Sequence, residues 1–136
     1  MISDIVLAID PGTRKCGIAV VRREGTEVLH REIVTPERLA ESVRLLTERY
    51  RVETVLLGNA TNSAPLRRSL QEALPESLSL LSVPEAYTTQ RAKVRYLQEN
   101  PPRSFFARLL PLGLRTPDRP FDDYVAILLA EDYFAG

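Results

Sequence analysis

The chain has very few of the side chains that usually form covalent cross-links or zinc sites. Its 136 residues include one cysteine, Cys16, and one histidine, His30. A single cysteine cannot form an internal disulfide, and one cysteine with one histidine cannot supply the four ligands of a structural zinc ion. Folds that are stabilised by internal disulfides or by a structural zinc ion are therefore excluded.

Long apolar segments are also lacking. The longest runs, such as VAILLA at residues 125–130, are far too short to cross a bilayer. The opening residues, MISD, resemble neither a secretory signal nor a transit peptide. We therefore expect a cytoplasmic protein without membrane contacts. A chain of this length is expected to form one domain, residues 1–136, that buries about 70% of the surface its unfolded chain would expose.

An excess of charge of either sign is absent from the whole chain, because 18 Lys and Arg residues balance 18 Asp and Glu residues. Positive charge is concentrated locally, since residues 88–119 contain seven basic and two acidic side chains. Such a segment attracts phosphates if its charges share one face, and it is equally explained as a solvated helix followed by a charged loop. Within it, Arg91 and Arg95 are the candidate contacts to nucleic acid.

Hydrophobic patterning predicts strands and helices along the whole chain. Apolar runs predict strands at residues 5–10, 16–21, 27–34, 54–59 and 78–83. Helical spacing and capping residues predict helices at residues 36–51, 63–74, 88–98 and 122–134. Three successive strands indicate an antiparallel meander, and the later strands indicate parallel pairing through right-handed helical crossovers. We therefore expect an α/β fold in which helices flank a mixed five-stranded sheet.

Acidic residues stand at the ends of three of these elements. Asp10 ends the first strand, Glu85 follows the last strand, and Asp122 and Asp123 begin the C-terminal helix. Because the carboxyl ends of strands meet at one edge of such a sheet, these carboxylates are expected to converge there. Converging carboxylates repel one another, and a hard cation such as Mg²⁺ or Mn²⁺ relieves the repulsion. Two such ions about 3.5–4 Å apart can activate water and stabilise the leaving oxygen of phosphoryl transfer.

Each acidic residue also has a purely structural interpretation. Asp10 begins the sequence Asp-Pro-Gly, which is a strong turn signal in itself. Asp122 or Asp123 can simply cap the final helix, and Glu85 can be an ordinary loop residue. On the functional interpretation, Gly17 in the strand next to Asp10 is expected to leave room for a metal ion and a phosphate.

Polar residues near the expected site offer contacts to a nucleic-acid backbone. Arg14 and Lys15 lie at the tip of the first turn, near the expected mouth of the site, and are otherwise explained as exposed hairpin residues. Asn59, Thr61 and Asn62 lie in the loop GNATNS, where free amides at the start of the next helix can hold a phosphate. The same loop is equally explained as a plain connection and helix cap.

Four sequence motifs, in order and over almost the whole chain, resemble those of one family. The motifs IDPGTRKCGIAVV, LLGNATNS, VPEAYTT with QRAKVRYLQENPP, and PFDDYVAILLAEDYF resemble the YqgF/RuvX branch of the Holliday-junction-resolvase-like proteins, within the ribonuclease-H-like superfamily. The resemblance implies a ribonuclease-H-like fold and a nuclease that uses two Mg²⁺ or Mn²⁺ ions. It also implies processing of the 5′ end of precursor 16S ribosomal RNA, by a monomer or a homodimer.

The same resemblance, carried over residue by residue, implies roles for the acidic side chains. Asp10, Glu85 and Asp122 are the implied catalytic residues and metal ligands, and Asp123 is an additional ligand. In the implied hydrolysis of a phosphodiester, Asp10 is shared by both ions, while Glu85 and Asp122 hold one ion each. The positive residues after Thr88 would follow the nucleic-acid backbone.

Pro84 and Ala86 depart from the family pattern, in which many members have Asp before and Arg after the catalytic Glu. Loss of the Arg removes one phosphate contact and favours a first alternative, a ribosome-assembly module that binds nucleic acid with weak or no catalysis. A second alternative is a Holliday junction resolvase that acts on branched DNA. A third is a nucleotide-binding phosphotransferase, although folds of that kind need two such domains and this chain supplies one.

Overall fold

The computed structural model describes residues 4–59, 63–85, 88–102, 108–115, 117 and 119–136. These residues contain the strands β1 (Ile5–Asp10), β2 (Cys16–Arg22), β3 (Glu27–Val34), β4 (Thr54–Gly58) and β5 (Ser79–Val83). They also contain the helices α1 (Pro36–Tyr50), α2 (Ala64–Ala73), α3 (Thr88–Glu99) and α4 (Asp122–Ala135). In this part of the chain, every helix lacks the length and apolar character needed to pass through a membrane.

The five strands form one mixed sheet in the order β3-β2-β1-β4-β5. β2 pairs with both β1 and β3 in antiparallel orientation, whereas β1 with β4 and β4 with β5 are parallel. The predicted α/β fold, with three antiparallel strands followed by parallel strands and flanking helices, is therefore confirmed. β1 lies at the centre of the sheet, which explains its uninterrupted apolar sequence.

The two faces of the sheet are covered by different helices. Alternate residues of β1 point to opposite faces, so Leu7 and Ile9 pack against α1 and α2, while Val6 and Ala8 pack against α4. α3 then packs on α4 through a separate cluster that includes Tyr96 and other apolar side chains. This arrangement lays α4 across β1 and β2 and brings its first turn to the carboxyl end of β1.

Candidate active site

Asp10 lies at the carboxyl end of the central strand β1. The four residues before it are fully buried, so the backbone that carries Asp10 is fixed by packing on both faces of the sheet. Asp10 pairs with Gly17 of β2 on one side. On the other side, the pairing of Ile9 with Leu57 places Asp10 level with Gly58 of β4. Asp10 is therefore flanked by two residues without side chains.

The absence of a side chain at Gly17 brings the start of α4 next to Asp10. A Cβ atom on Gly17 would collide with the main-chain carbonyl of Asp122 and would lie 2.8 Å from the backbone nitrogen of Asp123. The space predicted beside Gly17 for a metal ion and a phosphate is filled by the first turn of α4, so that prediction is wrong. Gly17 instead lets the helix approach the sheet closely enough to place Asp122 at the end of β1.

Gly58 leaves room for the side chain of Glu85. A Cβ atom on Gly58 would collide with Oε1 of Glu85 and would lie 2.5 Å from its Cδ. Asn59 holds the loop that carries Glu85, because its Oδ1 accepts a hydrogen bond from the Glu85 N–H at 3.1 Å. The Asn59 N–H donates to the carbonyl of Val83 at 2.9 Å. Asn59, predicted as a nucleic-acid contact, thus also positions Glu85, a role that its sequence context does not indicate.

The carboxyl groups of Asp10 and Glu85 interact with each other. Burial, the hydrogen bond and charge of Glu85, and the charge of Asp122 raise the pKa of Asp10 to about 9. Two ionised carboxylates cannot hydrogen-bond to each other, so the raised pKa means that the Asp10–Glu85 pair holds a proton at neutral pH. Oε1 of Glu85 is buried, and among the described residues no hydrogen-bond partner reaches it. The pair therefore contains an acceptor oxygen, Oε1 of Glu85, that receives no hydrogen bond from the described residues.

The third carboxyl, Asp122, is influenced by charges of both signs. Burial raises its pKa and the charge of Asp123 acts in the same direction, while its own backbone N–H and the charge of Lys15 oppose the shift. Lys15 thus acts electrostatically on this edge of the sheet, and both Lys15 and Arg14 are exposed. Two other predicted phosphate contacts lie outside the described residues: Thr61 and Asn62.

We refer to Asp10, Glu85 and Asp122 as the acidic cluster. Within the described part of the chain, no ion pair involves any of the three. Asp10 and Asp122 line a cavity of about 260 Å³ whose walls also include Thr89 and Arg119. A larger cavity of about 390 Å³ beside β3 contains no member of the cluster, so cavity size alone does not identify the site. Arg119 belongs to the basic segment 88–119 but is not among the individual candidate contacts predicted from the sequence; its signal is its position three residues before Asp122.

Asp123 is adjacent to Asp122 in sequence but faces a different environment. Its carboxylate accepts hydrogen bonds from Nη1 and Nη2 of Arg119, both at 3.3 Å, and Nε of Arg31 lies 3.8 Å away. The Asp123 side chain is 5% exposed. Consecutive residues of an α-helix are about 100° apart around its axis, which explains why the two carboxylates diverge. The predicted additional metal ligand is thus held by two arginines.

Arg91 and Arg95, the candidate nucleic-acid contacts on α3, form ion pairs. Arg91 donates to both oxygens of Asp132, at 2.8 and 3.0 Å. Arg95 donates to Glu131 at 2.7 Å and to Glu99 at 2.9 Å. A phosphate would have to compete with these carboxylates for either guanidinium. Their role in nucleic-acid binding therefore stays a prediction, and their contacts join α3 to α4.

The donor atoms of the acidic cluster suit a hard divalent cation, because Mg²⁺ and Mn²⁺ prefer carboxylate oxygens. The buried Oε1 of Glu85, which has no partner among the described residues, is one such donor. In the positions they occupy, the described residues include no group of three or more His, Cys, Asp or Glu side chains arranged to hold a metal ion.

No protein-family model matches the chain, and no curated protein sequence matches it. RuvC from Thermus thermophilus in complex with a Holliday junction substrate is similar in structure, with a TM-score of 0.59, 20% identity, and coverage of 94% of this chain and 90% of RuvC. The fowlpox virus resolvase in complex with Holliday junction DNA has a TM-score of 0.60, 15% identity, and coverage of 96% and 97%. The large terminase nuclease of thermophilic phage G20c has a TM-score of 0.58, 14% identity, and coverage of 94% and 81%. The chain therefore shares the ribonuclease-H-like fold of these proteins.

Proposed function

We propose that this protein is a nuclease that depends on divalent metal ions and hydrolyses phosphodiester bonds in nucleic acid. The acidic cluster carries the proposal, because three carboxylates from different parts of the chain meet at the end of β1 without an ion pair in the described residues. Partly buried carboxyl groups that lack cationic partners oppose folding, so such a cluster is expected where a ligand uses it. Burial raises the pKa of Asp10 to about 9, and the hydrogen bond and charge of Glu85 and the charge of Asp122 add to the same shift.

Asp10, Glu85 and Asp122 would hold the ions. When bound, the cations would supply Lewis-acid activation of a water molecule and stabilisation of the leaving oxygen. The chain itself supplies the positions of the ligands, because Gly17 and Gly58 allow Asp122 and Glu85 to approach Asp10 from opposite sides. Ligands held by packed elements keep their geometry better than ligands on free loops.

Exposed basic side chains beside the acidic cluster can bring a polyanion to it. Lys15 already acts electrostatically on Asp122, and Arg14 lies next to it in the turn between β1 and β2. A positive turn at the edge of an acidic site attracts phosphates that the cluster alone would repel. We assign Arg14 and Lys15 to the mouth of the site.

Similar structures favour branched DNA as the first substrate to test. RuvC from Thermus thermophilus and the fowlpox virus resolvase are both in complex with Holliday junctions. The sequence motifs that resemble the YqgF/RuvX branch favour a second substrate, the 5′ end of precursor 16S ribosomal RNA. Membership of that branch, and with it a role in ribosome biogenesis, stays a prediction because no family model matches the chain.

Cleavage assays with both substrates test the proposal. The wild type, Asp10→Asn and Asp4→Asn are each incubated with a four-way DNA junction or with precursor 16S RNA, in Mn²⁺, Mg²⁺ or EDTA. Asp4 is an exposed residue just before β1, so its substitution is a matched control at the other end of the same strand. We expect cleavage that requires a divalent ion, is abolished in Asp10→Asn and is preserved in Asp4→Asn.

The alternative functions predict other outcomes of the same assays. No cleavage of either substrate, with binding intact, would contradict the proposal and favour the assembly module that Pro84 and Ala86 suggest. Cleavage of the junction alone would identify a resolvase, and the mass in solution would show whether two chains act together. Cleavage of the RNA alone would favour ribosomal RNA processing.

A further inference from the structure

Arg119 shares a cavity with two members of the acidic cluster. It lines the cavity of about 260 Å³ together with Asp10 and Asp122. Among the described residues that line this cavity, Arg119 is the one with a positive charge. Its side chain is 39% exposed, so solutes can reach the guanidinium.

The guanidinium of Arg119 is held in place from several directions. Asp123 accepts hydrogen bonds from Nη1 and Nη2 at 3.3 Å, and Nη1 also donates to the carbonyl of Pro120. The Cζ atom lies 5.0 Å from the ring centre of Tyr96 and 5.7 Å from that of Tyr124, within the range of cation–π attraction. These contacts fix a long side chain that would otherwise lose considerable rotamer entropy on binding a ligand.

The same contacts leave one edge of the guanidinium available. An arginine has five N–H donors, and Asp123 and Pro120 accept from two on Nη1 and one on Nη2. The remaining donors, one on Nε and one on Nη2, lie side by side in the guanidinium plane, and this fork matches two oxygens of one phosphate. Arg91 and Arg95 differ from Arg119, because their carboxylate contacts are shorter, at 2.7–3.0 Å.

We propose that Arg119 binds a phosphate of the nucleic-acid substrate beside the acidic cluster, and that Asp123 is a positioning residue for Arg119 instead of a metal ligand. This inference rests on the proposed nuclease function and identifies a residue that receives the substrate at that site. A phosphodiester is repelled by the carboxylates, so a cation fixed in the same cavity lowers the cost of its approach. Asp123 is suited to positioning because Arg119 and Arg31 both neutralise its buried charge.

Salt-dependent binding tests the role of Arg119. All proteins carry Asp10→Asn to prevent cleavage and are titrated in Mg²⁺ with a fluorescent four-way DNA junction or a single-stranded RNA, at several KCl concentrations. Arg119→Ala should weaken binding roughly tenfold to a hundredfold, and the slope of log affinity against log salt should fall by about 1. Arg119→Lys should keep the slope but bind less tightly than Arg119, because lysine lacks the fork.

Arg68→Ala is the control for a general loss of positive charge. Arg68 is an exposed residue of α2, on the face of the sheet opposite α4, and its substitution should leave affinity and slope unchanged. An unchanged slope in Arg119→Ala, an equal change in Arg68→Ala, or no binding of either polymer would overturn the inference. Wild-type cleavage is measured separately, so a nuclease whose Arg119→Ala variant binds normally would keep the proposed function and refute this inference.

Mn²⁺ binding, followed by the electron paramagnetic resonance signal of the free ion, tests the role of Asp123. Asp122→Asn should weaken Mn²⁺ binding about tenfold or more. Asp123→Asn should bind Mn²⁺ with an affinity near that of the wild type. Asp123→Asn should nevertheless weaken junction binding, although it removes a negative charge. Adding Arg119→Ala to it should change little further, because the two residues act as a unit.

Three results would overturn the positioning role of Asp123. They are a loss of Mn²⁺ binding equal to that in Asp122→Asn, tighter junction binding in Asp123→Asn, and full additivity of Asp123→Asn with Arg119→Ala. If the wild type binds no Mn²⁺, the proposed metal-dependent function fails, and the junction-binding comparison alone decides the positioning role. Melting temperatures of all variants establish that the folded state is being compared.

Discussion

Two groups of carboxylates lie at opposite ends of α4, and their surroundings differ. At its first turn, Asp10, Glu85 and Asp122 come together with no ion pair within the described residues. Near its end, Glu131 and Asp132 are each paired with an arginine of α3, at 2.7 and 2.8 Å. The second group is neutralised by these arginines, whereas the carboxyl groups of the first group have no such partner in the described residues and are available to a ligand. The presence or absence of a cationic partner therefore separates a candidate site from a structural contact.

The largest expected difference between the two groups is in catalysis. Asp10→Asn preserves the shape of the side chain but removes the charge that a metal ligand needs, so turnover should fall about a hundredfold or more. The same kind of change in the paired group, Glu131→Gln, should leave turnover near the wild-type value. Single-turnover cleavage rates measure both. Equal losses in the two variants would remove the distinction between cluster and paired carboxylates.

Gly17→Ala should disturb the acidic cluster and the fold together. The added methyl group would collide with the main chain at Asp122, which cannot move without shifting α4. The free energy of unfolding should fall by about 1–3 kcal/mol, as is usual for an overpacked core, and cleavage should fall with it. Urea denaturation and cleavage rates measure the two effects. An unchanged stability would show that the contact between Gly17 and α4 does not position Asp122.

Gly58→Ala should affect cleavage and leave the fold largely intact. Its methyl group would collide with the side chain of Glu85, which can rotate away. Cleavage should fall about tenfold or more, while the free energy of unfolding should change by less than about 1 kcal/mol. Cleavage rates and urea denaturation measure the two effects. A loss of stability as large as in Gly17→Ala would contradict the view that Gly58 serves the position of Glu85.

The pH dependence of stability should distinguish the cluster from the paired carboxylates. The pKa of Asp10 is about 9 in the folded protein, compared with about 3.9 in an unfolded chain. The folded state therefore holds a proton that the unfolded state releases between these values. The contribution of Asp10 to stability is complete below about pH 4 and is lost progressively as the pH rises toward about 9.

Chemical denaturation in EDTA at a series of pH values measures this contribution as the difference between the wild type and Asp10→Asn. The wild type should lose stability relative to the variant as the pH rises. Mg²⁺ should restore the wild type most strongly at the alkaline end, because metal binding competes with the proton. A difference that is independent of pH would contradict the shared proton between Asp10 and Glu85.

The smallest expected effect is in the paired group. Arg91 and Asp132 form an ion pair whose side chains are 50% and 44% exposed. A double-mutant cycle of Arg91→Ala and Asp132→Ala should give a coupling energy of about 0.2–1 kcal/mol, the usual range for exposed pairs. A coupling energy near zero, together with weaker nucleic-acid binding in Arg91→Ala, would instead identify Arg91 as the predicted nucleic-acid contact.

The secondary structure could be predicted because burial leaves clear periodic patterns in the sequence. The run IVLAID indicates a strand buried on both faces, and β1 occupies the centre of the sheet. The sequence Thr35-Pro36 indicates the start of a helix, and α1 begins at Pro36. The position of Asp10 and Glu85 at one sheet edge also follows from strand order, since strand ends in such sheets gather there. Asp122 reaches the same edge through the close approach of α4 to Gly17.

Side-chain directions and contacts between distant elements could not be predicted in the same way. Asp122 and Asp123 are equivalent in sequence, and helix geometry alone turns one toward Asp10 and the other toward Arg119. Gly17 indicates a close approach without showing that the approaching group is a helix instead of a phosphate. The ion pair between Arg91 and Asp132 of α4 depends on tertiary packing. The sequence alone therefore does not show that the Arg91 guanidinium has a partner.

A crystal structure of the wild type soaked with Mn²⁺ would test the central claim most directly, because an anomalous difference map locates the ion. We predict a peak bounded by carboxylate oxygens of Asp10, Glu85 and Asp122, with Asp123 still paired to Arg119. No peak at the acidic cluster at saturating Mn²⁺, or an ion held by Asp123 in place of Asp122, would contradict the claim.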